Sequence, residues 1–349
     1  NLKQTPLYNQ HKQLGAKLVD FSGYSMPVWY TNAKEEHLSV RQHVGMFDIS
    51  HMGMVVFQGK DVFNILQQVC TNDIQKTQPN KIVYTMILNN QGGVLDDVMV
   101  GFNAQWQSYF MIINASNKDK ILGWLMDHGC DAAMVDARFD SHGLVAIQGP
   151  KALDTVNGLF DIDWEALGRF QSQVFMYKGQ ECMVMRTGYT GEDGIEISAP
   201  NHVMDAIWTA CLDAGVRPCG LAARDSLRIE SGLPLYGHEL SEDITPLQTR
   251  YRWVLKWGTQ FIGESHLSNI KDTVDTCTVG LKFHDRCIPR QGYALEEGGV
   301  ITSGSFSPVL DCPIAIAMVP LALNQEGASV TVDIRGRKVS ASVVAIPFV

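Results

Sequence analysis

Apolar positions recur at helical spacing in some stretches of the chain and at strand spacing in others. Ala33, His37, Val40 and Val44 fall on one helical face, the 3.6-residue period of an amphipathic helix. Asn32 stands before them as a capping residue, Glu35 three positions on completes a capping box, and Gly45 is the stop signal. Val62, Ile65, Leu66 and Val69 predict a second helix, and Met54-Val55-Val56-Phe57 a strand between the two. Apolar runs at 82–88 and 94–102 flank Asn89-Asn90-Gln91-Gly92-Gly93, the pattern of a β-hairpin. A strand at 109–114 and a helix at 117–128 follow, the latter with Ile121, Trp124 and Leu125 on one side. A second hairpin joins 183–186 to 195–198 through the turn 187–194. Helices over 202–212 and 221–231 come next, and the second puts Arg224 and Arg228 on one face at i, i+4 spacing. Strands and helices alternate without a βαβ period, so the fold class is α+β.

Residues 263–275 are polar and read as a linker. Beyond them the pattern changes to short strands, at 278–282, 330–334 and 339–344, the last after the turn Arg335-Gly336-Arg337. That is the signature of a small all-β domain. There is no internal repeat and no low-complexity segment.

Length and composition narrow this picture. A chain of 349 residues with 45% hydrophobic content is large enough for about two or three domains. No apolar run reaches the ~18–20 residues that cross a bilayer. The first twenty residues are polar and mixed, without a signal or transit pattern, and the expected setting is a bacterial cytoplasm rather than a mitochondrial matrix. The eight cysteines form no C-x-x-C pair and no zinc-like cluster with histidine, which fits reduced thiols. The formal net charge of −9 argues against bulk nucleic-acid binding and against an anionic membrane surface. An acidic ligand would need a local basic pocket.

The chain carries no Walker P-loop, no H-E-x-x-H and no G-x-S-x-G. Gly188, Gly191 and Gly194 sit in a hairpin turn and not between a strand and a phosphate-binding helix. These absences argue against a nucleotide hydrolase, a Rossmann oxidoreductase and a serine hydrolase. Asp96 and Asp97 are neighbours on a strand, so their side chains point to opposite faces. An inward carboxylate there is desolvated unless paired, and suits proton handling or the orienting of an amine. The competing reading, a hairpin end kept soluble by two charges, has the stronger prior on the residues alone. Glu196 lies between Ile195 and Ile197 and is either solvent-facing by alternation or functional. Arg224 and Arg228 either grip a carboxylate bidentately or form a solvated face paired with Asp225 and Glu230. Met52, Tyr84, Tyr189 and Trp253 have ordinary packing as their competing reading.

Taken together, several long segments resemble the aminomethyltransferase (T-protein) family of the glycine cleavage system, over nearly the whole chain. They are Thr5-Pro6-Leu7-Tyr8, Gly45-Met46-Phe47-Asp48-Ile49-Ser50-His51-Met52, Gly92-Gly93-Val94-Leu95-Asp96-Asp97, Arg186-Thr187-Gly188-Tyr189-Thr190-Gly191-Glu192-Asp193-Gly194, Gly220-Leu221-Ala222-Ala223-Arg224-Asp225-Ser226-Leu227-Arg228 and Ile301-Thr302-Ser303-Gly304-Ser305-Phe306-Ser307-Pro308. The resemblance implies a three-domain cloverleaf around a central folate channel. Its folate-binding region would be 1–270, made of two interleaved α+β domains (about 1–50 with 140–270, and 51–139). A small antiparallel β-barrel domain would occupy 276–349. The family's catalytic aspartate falls on Asp97. Its folate contacts fall on Met52, Tyr84, Asn114, Tyr189, Glu196, Arg224 and Trp253. An aromatic that stacks in some relatives falls on Phe170, which keeps the face and loses a hydroxyl.

The implied activity is transfer of the methylene carbon from the S-aminomethyl dihydrolipoyl arm of the H-protein to tetrahydrofolate, with release of ammonia. Tetrahydrofolate is then the co-substrate, with no metal, flavin or nicotinamide, and the lipoylated H-protein the partner, with no nucleic acid or membrane. An anionic folate tail and partner would want a basic rim, for which Arg228, Arg250, Arg252 and Lys256 are candidates. Two other readings share the scaffold. One is a tetrahydrofolate-dependent demethylase of a small methylated compound. The other is a folate-binding accessory protein for iron–sulfur assembly, whose Lys-Gly-Cys-Tyr-x-Gly-Gln is absent here. Flavin-linked relatives fuse this unit to a large oxidase domain, for which 349 residues have no room.

Overall fold

The structure, a computed structural model, describes residues 1–349. Two compact units emerge: residues 1–85 with 97–224, and residues 86–96 with 225–349. Helices and largely antiparallel sheets are mixed in the α+β manner expected, and no helix is long and apolar enough to cross a membrane.

The first unit is organised on a six-stranded sheet in the order Ser172–Tyr177, Gln180–Met185, Gly194–Pro200, His142–Gln148, Gly45–Asp48, Arg217–Pro218. Only the last pair is parallel. Val145 and Ile147, two apart on one strand, share a face and meet Ile195, Ile197, Val184 and the helix residues Ile207 and Trp208 in one core. A second sheet runs Ile82–Leu88, Val94–Asn103, Ser108–Ile113, Gly53–Phe57, Val135–Ala137. Helix Val62–Val69 buries Val62, Ile65, Leu66 and Val69, the stripe read from the sequence.

Helix Ala33–Gln42 starts where expected, with Asn32 Oδ1 accepting from the Glu35 N–H at 2.9 Å. Only that half of the box forms, because the Glu35 carboxylate turns to Arg217 at 3.0 Å. Gly45 also differs from its reading. It opens a buried strand instead of closing the helix. A Cβ there would lie 2.7 Å from both Cys219 Sγ and Val40 Cγ2, so the glycine is required by packing. Overpacking of this kind costs about 1–3 kcal/mol; Gly45→Ala is expected to lower the free energy of unfolding by that amount, read as a lower urea midpoint, and an unchanged midpoint would show the site to be slack.

The second unit holds the antiparallel sheet Val300–Ser307, Cys312–Pro320, Thr276–Phe283, Arg337–Val344, Ser329–Ile334, the small β domain read from the sequence. Strand Cys312–Pro320 is apolar throughout because both of its faces are covered. Ala315, Ala317 and Val319 join the interior with Leu281, Val332 and Val339. Ile314 and Ile316 pack with Ile229, Ile346 and Phe348. The expected linker at 263–275 is instead built around helix Glu264–Ile270. Its one buried side chain, Leu267, sits where a Cβ on Gly92 would come within 2.3 Å of Leu267 Cδ2. Two apolar residues, Leu267 and Ile270, in so short a helix leave no readable period.

Arg228 departs furthest from its reading as a rim residue: it is 1% exposed. Its Nε donates to Asp225 at 2.8 Å, Nη1 to Glu239 at 2.7 Å and to the Leu233 carbonyl at 3.1 Å, and Nη2 to Ser303 Oγ at 2.7 Å. Ser303 in turn donates to Glu239 at 2.7 Å. Arg250, Arg252 and Lys256 are exposed.

The cysteines are all free thiols, and Cys70, Cys130, Cys182, Cys211 and Cys219 are buried. Burial pushes the Cys182 thiol up to about 11 and that of Cys211 to about 12.

Candidate active site

Asp96 and Asp97 do part to opposite faces, but the fully buried member is Asp96, while Asp97 is half-buried. The strands on either side of Val94–Asn103 clamp the Asp97 carboxylate. Tyr84 Oη, from the strand Ile82–Leu88, donates to Oδ2 at 2.9 Å. Asn114, just past the strand Ser108–Ile113, donates from Nδ2 to Oδ1 at 2.8 Å and to the Asp97 carbonyl at 3.0 Å. Met52 belongs to the same group by register: Gly53 pairs with Ile113, which sets Met52 opposite Asn114, and it is half-buried.

A second group forms on the hairpin of the six-stranded sheet. Glu196 pairs in register with Met185 and is half-buried. Thr187 Oγ1 donates to Glu196 Oε1 at 2.5 Å. Burial raises the Glu196 pKa, against the pull of the Thr187 hydrogen bond and then of the Arg224 charge. The Arg224 guanidinium lies over the Tyr189 ring at 4.7 Å, a cation–π arrangement.

Phe170 stitches the two groups through its backbone. Its N–H donates to the Arg186 carbonyl at 2.9 Å, and its carbonyl accepts from Ile82 N–H at 2.8 Å. It does so at φ +57°, with its side chain 49% exposed. Arg186 precedes Thr187, and Ile82 lies two residues before Tyr84. Trp253 belongs to the second unit, where it is 61% exposed and 6.2 Å from the Tyr251 ring; packing does not explain it. Thr187 was not singled out in the sequence, although the Arg186–Gly194 motif contains it.

His51 is 2% exposed and packs edge-on against Phe21 at 5.4 Å and Tyr24 at 6.3 Å. Its Nδ1 has no hydrogen-bond partner. Burial, followed by the Arg224 charge, pushes its pKa down to about 3. The ring is therefore neutral at neutral pH. In the unfolded chain it titrates near the ordinary value of about 6.5, so between the two values the unfolded state binds the extra proton. The His51 contribution to stability is complete above about pH 6.5 and is lost as the pH falls toward 3, at up to about 1.4 kcal/mol per pH unit. His51→Asn is expected to flatten the acid limb of a urea-stability profile. A limb of wild-type slope would remove His51 from the account.

No three His, Cys, Asp or Glu side chains gather in a way that could hold a metal ion. The groups that remain are a carboxylate held by two neutral donors, a second carboxylate in an apolar strand and a guanidinium on an aromatic face. Together they can orient a flat, nitrogen-rich ligand and accept protons from it.

Comparison with known proteins converges on one family. The family described as GCVT N-terminal domain matches residues 7–259, and that described as glycine cleavage T-protein C-terminal barrel domain matches residues 277–349. A protein of Bdellovibrio bacteriovorus named aminomethyltransferase is 40% identical, covering 100% of this chain and 99% of its own. One of Thermosipho melanesiensis with the same name is 37% identical over 99% of this chain and 97% of its own. The crystal structure of glycine cleavage system aminomethyltransferase T from Bartonella henselae superposes with a TM-score of 0.92 at 33% identity, covering 100% of this chain and 98% of that one. With both family domains in chain order and full-length relatives above 30% identity, the chain belongs to the aminomethyltransferase (T-protein) family of the glycine cleavage system.

Proposed function

We propose that this enzyme transfers the methylene carbon of an S-aminomethyl dihydrolipoyl arm, presented by a lipoylated H-protein, to tetrahydrofolate. The products are 5,10-methylenetetrahydrofolate, ammonia and the dihydrolipoyl protein. Two bonds at the methylene carbon break, to sulfur and to the amine, and two carbon–nitrogen bonds to the folate form. The two protons leaving the folate nitrogens end on ammonia and on the thiol.

The observation that carries the reading is the Asp97 carboxylate, held on both oxygens by neutral donors, Tyr84 and Asn114, yet not sealed off. A carboxylate accepts about four hydrogen bonds, and these two donors fix its direction toward a substrate amine. The donor and acceptor set fits a reduced pterin. Glu196, steadied by Thr187, accepts from the amino edge of the ring. Arg224, braced on Tyr189, faces the carbonyl or anionic end, and Met52 supplies an apolar contact. When bound, tetrahydrofolate supplies the nucleophilic nitrogen. Asp97 orients that nitrogen and takes its proton, effects typically of ~10²–10⁴-fold, with positioning adding to them. The reading includes the subdivision into 1–50 with 140–270, 51–139 and 276–349, and Phe170 and Trp253 as further folate contacts. The bacterial relatives support a bacterial cytoplasm as its setting.

The test is a coupled assay with aminomethyl-loaded lipoyl protein. Ammonia and methylenetetrahydrofolate should appear in equal amounts and only with tetrahydrofolate present. Turnover of a small N-methyl compound with none on the loaded protein would favour the demethylase reading and end this one.

A further inference from the structure

One buried polar side chain near the site has no role in the chemistry above. Gln148 ends the strand His142–Gln148 and is 0% exposed. Its Nε2 donates to the Thr187 carbonyl at 3.1 Å and to the Ile195 carbonyl at 3.2 Å. Its Oε1 accepts from Thr190 Oγ1 at 3.0 Å. A single amide thus ties the first residue of the turn 187–194, its middle and the strand residue just past it. The glycine at 188 has the same cause. A Cβ there would stand 1.9 Å from Gln148 Oε1, 2.6 Å from Cδ and 2.7 Å from Nε2. All three of its nearest neighbours belong to this one side chain.

The turn so held carries two groups of the site, Thr187 against Glu196 and Tyr189 beneath Arg224. Other ties reach it from the flank. Arg41 contacts the Thr190 carbonyl and Glu192, and Arg186 pairs with Asp193. These ties hold the outer side of the turn, at Thr190, Glu192 and Asp193, and none of them reaches the Thr187 or Ile195 backbone. The Gln148 bonds are in the interior, where an unmade bond is costly.

We infer that Gln148 is a positioning residue: its buried amide cinches the turn 187–194 into the shape that sets Thr187 on Glu196 and Tyr189 under Arg224, and so governs pterin affinity without touching the reacting atoms. This rests on the folate reading above. Contacts to the amino edge are the same before and during reaction, so their loss raises KM and leaves kcat.

The test is a double-mutant cycle on the intact chain with Gln148→Ala, Gly188→Ala and the pair, read by tetrahydrofolate Kd, by steady-state kinetics and by amide hydrogen exchange without folate. Gln148→Ala should raise Kd and the folate KM about tenfold or more, with kcat within about threefold, and speed exchange in 187–193 while the strand cores stay protected. Gly188→Ala should do the same, because its methyl evicts the amide. In the Gln148→Ala background it should do nothing more, since the methyl then has room. An equal penalty for Gly188→Ala in both backgrounds, or wild-type exchange and Kd in Gln148→Ala, would overturn the inference. If Gln148→Ala does not fold, Gln148→Met keeps the length and packing and carries the same expectations for Kd, KM and exchange, while Gly188→Ala should still add a penalty in that background because the longer side chain fills the space of its methyl. Failure of the wild type to bind tetrahydrofolate would sink the folate reading, while the exchange cycle would still decide the role of Gln148.

Discussion

Asp97→Asn is expected to bind tetrahydrofolate close to wild type and to lose about 10²–10⁴-fold in turnover. The substitution preserves shape, and the surrounding donors can adapt. The new amide oxygen can accept from Asn114 Nδ2, now 2.8 Å from Asp97 Oδ1. Its NH₂ can donate to Tyr84 Oη, because a phenol hydroxyl accepts as well as donates. The hydrogen-bonded clamp therefore survives in neutral form. Under the proposed mechanism, the charge that would draw the substrate amine into line and receive its proton is then gone. Single-turnover measurement with loaded lipoyl protein separates this loss from any change in product release. Turnover at the wild-type rate in Asp97→Asn would remove the carboxylate from the mechanism.

The second large effect concerns stability. Arg228→Met is expected to destabilise the chain by about 3–5 kcal/mol, the usual result of removing one partner from a buried ion pair. Glu239 is 3% exposed and receives both Arg228 and Ser303, so the deletion strands a carboxylate in the interior. Adding Glu239→Met should recover much of the loss, because the unpaired charge goes with it. Urea unfolding of the single and double variants measures both. A single variant within about 1 kcal/mol of wild type, the size of an exposed pair, would mean that the charges are solvated in the native state.

These two residues also mark how far the sequence could be read. Local rules worked where the cause was local. The Asn32 cap, the stripe of Val62–Val69 and the two hairpins depend on neighbours within a few positions. The sequence offers Asp225 as a partner for Arg228 and still places the arginine on a rim, because its helix spacing is visible and its distant partners are not. Asp225 is three residues away, but Glu239 and Ser303 are 11 and 75 away. Gly45 looked like a helix stop because a missing side chain signals a turn as readily as a tight contact, and here the contact was with Cys219, brought up by another strand. The acidic pair at 96 and 97 was legible as one residue in and one out, but alternation alone does not say which. Family resemblance singles out Asp97, and what the structure adds is that its carboxylate accepts from Tyr84 and Asn114. Gln148 gave no signal of its own, because a lone glutamine ending an apolar strand is legible only beside the glycine it displaces.

The buried cysteines have a consequence for handling the protein. Thiolates react and thiols hardly do, so five of the eight sulfurs are shielded both by access and by proton affinity while the chain stays folded. Alkylating reagent should then label native molecules at Cys277, Cys287 and Cys312 and the rest only after unfolding, which turns mass spectrometry after a timed pulse into a gauge of how many molecules have opened. Oxidation of the five buried sulfurs during storage would follow the same gate, so for them a stabilising additive protects where reductant protects the other three.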